Sequence, residues 1–403
     1  MSKKGLNSNE VKKRNRSKIL RILRNGIEIS RKDLSDQMGL TKAGISTIVS
    51  EMIEEGVIIE TGSQENGGLG RNRVTLEINK NFGYVLGLSF TETHLTLLIS
   101  NVLGQTIDLY TQDYSQLETV ETESLLTLVI DKSLYLLWNN NIDKSSVLGF
   151  GIGYIGGLKN IDVKKIEIEI KKRLNIEVFS DNNVKALAMS QMDFTPQDKS
   201  DNFLFVKYGP GLGMAIVQNG SIINGFDKRA GEIGHTIIAP HLETSCRCGR
   251  KGCLESLISE KGIIKDLEEQ GDSYLSLILD KSRSIIDYQQ VNSLLEKEDP
   301  ITLSIFQPRY EHFSKSLANS IILFNPEYVC VYGSIFNQSK IFSMISDSVD
   351  DYLGTNTNVK VILSNLDLNN SALGSVALAL RYTFYNNGAF KETIDENLNS
   401  API

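Results

Sequence analysis

Apolar residues recur at helical spacing in the first fifth of the chain. Ile19, Leu20, Ile22 and Leu23 mark one face of a helix that stops near Asn25-Gly26. Ser30 suits the N-cap of a short second helix over 31–38, with Leu34 and Met38 pointing inward one turn apart. Gly39-Leu40 turns the chain. Thr41 then caps a third helix to about Glu55, whose inner face carries Ile45, Ile48, Val49, Met52 and Ile53. Helix, tight glycine turn and helix is the helix-turn-helix layout. Past Gly56 the pattern becomes strand-like over 57–61 and 73–78. These segments flank a Gly- and Asn-rich stretch at 62–71, which predicts a β-hairpin wing.

Beyond Tyr84 the texture alternates. Strand-like segments at 84–89, 95–100, 147–154, 177–180, 203–207 and 214–218 are interleaved with helical ones such as 121–138 and 164–174. Such alternation predicts α/β layers. No solenoid-type repeat or proline-rich linker divides the chain. The expected organisation is a winged helix-turn-helix at 1–80, an α/β body at 81–390 and a disordered tail at 391–403.

Composition agrees with folded domains: 41% of the 403 residues are hydrophobic and 23% charged. No apolar run reaches the length of a membrane span, and the polar N-terminus has no apolar stretch behind it. Only four cysteines occur, three of them within eight positions, so a disulfide framework is not expected. A cytoplasmic protein with no membrane partner is predicted. The net charge of −7 conceals an asymmetry. Residues 1–80 hold 15 lysines and arginines against 10 acidic residues, whereas the remainder holds 27 against 39. A basic head on an acidic body suggests that the head meets a polyanion.

Three constellations carry chemistry. The start of the third helix presents Thr41, Lys42, Ala43, Ser46 and Thr47, small or polar residues able to approach base edges in a major groove. The wing adds Arg71 and Arg73 as phosphate or minor-groove contacts. A protein-interaction module could share this shape, but the basic head and the wing arginines favour double-stranded DNA. The second constellation is His235, Cys246, Cys248 and Cys253. Three thiols and an imidazole at this spacing suit one structural zinc with no position left for water. The fourth cysteine, Cys330, lies in an apolar run and is expected to be a core residue. The third constellation is the carboxylates Asp181, Glu232 and Glu255. Asp181 follows a short strand, where ligands bind at strand ends, and the other two bracket the metal loop.

Taken together, these residues resemble the ROK family of sugar-responsive repressors and sugar kinases. The resemblance spans about residues 10–390 and is carried by GRNRVTLEIN at 70–79, AGEIGHTII at 230–238 and CRCGRKGCLES at 246–256. It implies zinc on His235, Cys246, Cys248 and Cys253. It also implies an effector site of Asp181, Glu232, His235 and Glu255 for a sugar or sugar phosphate. The implied body is actin-like and two-lobed, with lobe 1 at about 81–190 plus a C-terminal helix at about 370–390 and lobe 2 at about 191–369. The implied assembly is a homodimer or higher homo-oligomer.

The departures from the family bear on function. The first phosphate loop of the kinase branch, D-x-G-G-T, reads Ser89-Phe90-Thr91-Glu92-Thr93. The second, G-T-G-x-G, reads Gly209-Pro210-Gly211-Leu212-Gly213. A phosphate cradle is made of backbone N–H groups, and proline removes one. ATP binding and catalysis are therefore not expected. Ser180 stands where the family has a sugar-binding asparagine, and the segment before it is shorter than usual, so the effector site is degenerate. The expected protein is a DNA-binding regulator, a repressor, without enzyme activity. The alternatives are a sugar kinase with an appended DNA-binding head and an effector-independent DNA-binding dimer.

Overall fold

The computed structural model describes residues 8–24, 28–64, 73–91, 94–113, 121–155, 160–195, 200–209, 211–242, 244–271, 274, 288–354, 358–368 and 370–390. The chain divides into two units, residues 1–196 with 371–403, and residues 197–370. The expected disordered tail at 391–403 lies outside the described residues.

The first unit opens with α1 (Ser8–Arg24), β1 (Ile29–Ser30), α2 (Arg31–Met38), α3 (Lys42–Glu54), β2 (Ile58–Gln64) and β3 (Arg73–Ile78). Local chemistry sets these boundaries. The Ser30 hydroxyl accepts the Asp33 N–H while the Asp33 carboxylate accepts the Ser30 N–H at 2.8 Å, a reciprocal capping box. Gly39 ends α2 in the left-handed region, and the Thr41 hydroxyl accepts the Gly44 N–H to start α3. Leu34, Ile45, Val49 and Met52 are fully buried between the helices. The three strands pair antiparallel in the order β1-β3-β2 and form the wing.

The same unit continues with β4 (Tyr84–Phe90), β5 (His94–Asn101), β6 (Thr106–Asp113), α4 (Thr122–Asn139), β7 (Val147–Tyr154), α5 (Val163–Leu174), β8 (Val178–Asn182) and α6 (Asn183–Phe194). Its sheet runs β6-β5-β4-β7-β8, an antiparallel meander joined to a parallel pair. β4 shows the sorting that follows from strand alternation. Leu86 and Leu88 pack toward α4 and α5, whereas Val85 joins the core on the opposite face. That opposite face also receives a helix from the end of the chain. It lies so close that a methyl group at Gly151 would sit 1.8 Å from the Ser375 carbonyl oxygen. The core of the head is continuous with this layer: Ile19, Leu20, Leu34 and Val49 belong to one cluster with Val102, Ala379, Phe384 and Tyr385.

The second unit contains β9 (Phe203–Tyr208), β10 (Leu212–Gln218), β11 (Ser221–Ile222), α7 (Leu254–Ile258), α8 (Glu260–Glu268), α9 (Tyr288–Glu296), α10 (Pro300–Phe324), β12 (Tyr328–Tyr332), α11 (Ser339–Leu353) and β13 (Lys360–Leu363). Its order, β11-β10-β9-β12-β13, repeats the plan of the first sheet, with three antiparallel strands followed by two parallel ones. Cys330 is fully buried in the centre of β12, as expected of a core residue. The chain returns to the first unit as α12 (Leu373–Leu380), which runs into a π-helical turn at Arg381–Tyr385. A winged helix-turn-helix precedes an actin-like body built of two α/β sheets. Among the described residues, no helix is long and apolar enough to cross a membrane.

Candidate DNA interface, metal centre and effector residues

The N-terminal end of α3 exposes a short polar strip. Thr41, Lys42, Ala43 and Thr47 are exposed and Ser46 is half-buried, while Ile45 between them is sealed in the core. The Thr47 hydroxyl donates to the Ala43 carbonyl, so this side chain lies along the helix. Arg31 holds the strip in place: its guanidinium donates to the Ser46 carbonyl and the Ser50 hydroxyl of α3 and to Glu60 of β2. In the wing, Arg71 lies outside the described residues, and Arg73 opens β3 opposite Gln64. The basic residues of α1 divide between the interior and the surface. Arg16 is fully buried and forms a bidentate pair with Glu55, and Lys12 pairs with Glu51 at 2.7 Å. Arg14, Lys18 and Arg21 of α1 are exposed.

The metal residues come together in the second unit. The donor atoms of His235, Cys246, Cys248 and Cys253 all lie within 4.8 Å of one another. Cys246 Sγ is 3.5 Å from His235 Nδ1, and Cys248 Sγ is 3.6 Å from Cys253 Sγ. Zinc bonds of about 2.0–2.3 Å place tetrahedral donors roughly 3.5–3.8 Å apart, so the set fits zinc. Arg250 Nε donates to Cys248 Sγ and leads the lowering of that thiol to about 6, whereas burial raises the Cys246 and Cys253 thiols. His235 Nδ1 faces the Cys246 thiol, and its Nε2 lies 3.8 Å from the Glu232 carboxylate. Four protein donors leave no open coordination position, the arrangement of a structural site.

The turn that carries His235 is held against β10. The Met214 N–H donates to the Gly231 carbonyl, and Gly231 has φ +90°, with any Cβ placed 2.0 Å from the Met214 carbonyl oxygen. Gly231→Ala is therefore expected to destabilise the second unit by more than about 1 kcal/mol, and to reduce bound zinc with it. Thermal unfolding with elemental analysis measures both quantities.

The four effector residues are distributed over both units. Asp181 lies in β8 of the first unit, opposite Gly153, and its carboxylate accepts the Asn182 N–H at 2.7 Å. Glu232, His235 and Glu255 belong to the second unit. Glu255, in the first turn of α7, is already engaged. It receives Arg247 Nε at 2.7 Å, Arg247 Nη2 at 3.2 Å and the Leu212 N–H at 3.1 Å. Sequence reasoning missed Arg247, whose position between two clustered cysteines, Cys246 and Cys248, was a usable signal.

In the stretch matched to the first phosphate loop, Ser89 and Phe90 are buried in the sheet and the Thr91 N–H and hydroxyl both donate to the His94 carbonyl, while Glu92 and Thr93 lie outside the described residues. In the second loop, Pro210 lies outside the described residues.

A DNA-binding type of winged helix joined to an actin-like body is the architecture of a regulator class that shares its body with sugar kinases. The ROK family model matches residues 147–382, and a winged helix-turn-helix DNA-binding model matches residues 12–59. The chain belongs to the ROK family. It is 27% identical over 402 residues to the xylose repressor of Caldicellulosiruptor bescii, covering 92% of this chain and 96% of that protein. It is 25% identical over 410 residues to the DNA-binding transcriptional dual regulator NagC of Escherichia coli, covering 96% and 97%. A solved ROK family transcriptional regulator, described as a homologue of the E. coli MLC protein, superposes with a TM-score of 0.78 over 94% of this chain and 98% of that one, at 23% identity. A ROK glucokinase from Streptomyces griseus superposes with a TM-score of 0.62 over 73% of this chain and 99% of that one, at 19% identity.

Proposed function

We propose that this protein is a cytoplasmic, sequence-specific transcriptional regulator that represses by binding double-stranded operator DNA. In this reading Thr41, Lys42, Ala43, Ser46 and Thr47 read the major groove, and Arg71 and Arg73 grip the backbone or minor groove. The body is a zinc-containing, non-catalytic ROK domain that forms a homodimer or higher oligomer. The observation that carries the reading is the exposed polar strip at the start of α3, on a winged helix whose core is continuous with a ROK body. Repressor relatives aligned along nearly their whole length support it. The kinase alternative is opposed by the stretch at 89–93, which has no glycine, and by Pro210, which removes one N–H from the loop at 209–213. Genomic footprinting with the full-length protein tests the function. Discrete, roughly two-fold sites whose occupancy falls steeply with salt are expected. Only uniform, sequence-independent binding would refute it.

The effector reading is narrower. Within the second unit, Glu255 is already paired with Arg247, which leaves Glu232 and His235 as the carboxylate and imidazole for sugar hydroxyls. A hydroxyl-binding site that loses partners loses orders of magnitude in affinity. Calorimetry with xylose, glucose, N-acetylglucosamine and their phosphates is therefore expected to show weak or no binding of the neutral sugars. A micromolar neutral sugar that releases the operator, and whose binding Asp181→Ala abolishes, would overturn this.

A further inference from the structure

The carboxylate of Asp193, in the last turn of α6, is almost completely buried, with a side-chain exposure of 1%. It lies at the negative end of a helix, away from water, where a carboxylate is disfavoured by both dipole and desolvation. Two arginines hold it there. Arg381 donates through Nε to Oδ2 and through Nη2 to Oδ1, each at 2.7 Å, and Arg24 Nη1 also lies 2.7 Å from Oδ1. Their charges outweigh burial, so the carboxyl stays below its usual range, with Arg21 contributing at longer reach.

The origins of these groups make the cluster more than a buried ion pair. Arg24 is the last residue of α1 and belongs to the DNA-binding head. Arg381 opens the π-helical turn that follows α12. Asp193 belongs to neither: it ends the helix that begins immediately after Asp181 and Asn182. Around it the head is seated on the same C-terminal segment. Arg24 stacks over Tyr385, Arg21 donates to Asn386, and buried Arg16 donates to the Gly388 carbonyl. At its other end, α6 is capped by Asn182, whose side chain accepts the Val184 N–H at 2.9 Å. Twelve residues of α-helix span about 18 Å.

We propose that α6 couples the Asp181 end of the body to the DNA-binding head through Asp193, which fixes the seating of α1 by holding Arg24 against Arg381. Asp193 and Arg24 are positioning residues and need no contact with DNA. A shift of α6 along its axis changes the three-way hydrogen-bond geometry directly, because the buried carboxylate has no water to compensate. The inference rests on the proposed DNA-binding function only for its second readout.

The test uses full-length protein and hydrogen exchange of the α1 amides, followed by affinity for a footprinted site. Arg24→Gln leaves Asp193 paired with Arg381 and avoids stranding a buried charge, so it is the primary variant. It is expected to raise exchange in α1 at least fivefold and to weaken operator binding about tenfold, with Arg24→Lys restoring part of both. Asn182→Ala, which touches only the far end of α6, is expected to raise exchange in α1 as well. In the Arg24→Gln background it should add nothing, because the link is already cut. A folded Arg24→Gln protein with wild-type exchange in α1 overturns the proposal. So does an Asn182→Ala effect confined to the start of α6, or one that simply adds to that of Arg24→Gln. Wild-type protein that binds no DNA would sink the regulator reading instead, and the exchange data would still decide the coupling.

Discussion

Cys253→Ser is expected to yield protein without zinc and with a melting temperature lower by roughly 10 °C, where the wild type carries one zinc per chain. The reason is that metal binding at a closed four-donor site is folding free energy, amounting to about 10–16 kcal/mol in isolated zinc-finger peptides. Losing one thiolate forfeits several kcal/mol of it, at about 2–4 °C for each kcal/mol in a unit of this size. Cys253 occupies a sensitive place. It is fully buried, bridges to Ile237 and N-caps α7, the helix that carries Glu255. The effect should therefore extend from the metal to the Glu255–Arg247 pair. Cys330→Ala is the control: it should leave the zinc content unchanged, since Cys330 lies in β12 and outside the metal cluster. Elemental analysis of protein purified without chelators, paired with calorimetric unfolding, gives both numbers. Zinc-free protein that is fully folded and binds its operator would refute the structural role.

The second large effect is expected at the wing. Replacing Arg71 and Arg73 together by alanine should weaken operator binding by tenfold or more while leaving the melting temperature near wild type. Each neutralised phosphate contributes about 0.9 to the slope of log affinity against log salt, so the double variant should drop up to about 2 from that slope. Substitution at Lys42 or Ser46 should act differently, shifting sequence preference at about 1–3 kcal/mol for each well-formed base-edge interaction removed. A folded double variant with unchanged salt slope would remove the wing from the interface.

How much of this was legible before the structure depends on the range of the interaction. The caps at Ser30 and Thr41 were readable because a cap is a contact between residues two or three apart, chosen by side-chain chemistry alone. The cluster of His235, Cys246, Cys248 and Cys253 was readable for a related reason. All four fall within a short stretch whose turns bring them together, and thiolates clustered this way have few other uses. The strands β4 and β7 announced themselves as apolar runs. β6 did not, because it is an edge strand whose pattern of exposed and half-buried residues looks like a loop.

The charge of the N-terminal helix was the least legible feature. Nine basic residues among the first 24 suggested a surface turned toward a polyanion. Arg16, Arg21 and Arg24 instead face the segment at 385–390, and Arg24 also meets Asp193. Nothing local distinguishes an arginine that meets phosphate from one that meets a buried carboxylate, since both need the same helical face. Likewise Glu255 reads as a free sugar ligand until the metal loop turns Arg247 onto it.

By itself, then, the sequence determined the boundaries of α2, α3, α4 and α5, the winged helix-turn-helix and the Cys/His cluster, all of which are set by contacts within a short stretch of chain. Only the tertiary structure decided which charges are buried, which carboxylates remain free and how the head is held. Those outcomes join residues such as Arg16 with Gly388 and Asp193 with Arg381, separated by 372 and 188 positions. Such pairs depend on which helix faces meet and at what register, and a local hydrophobic period marks the buried face of a helix without naming the partner it meets.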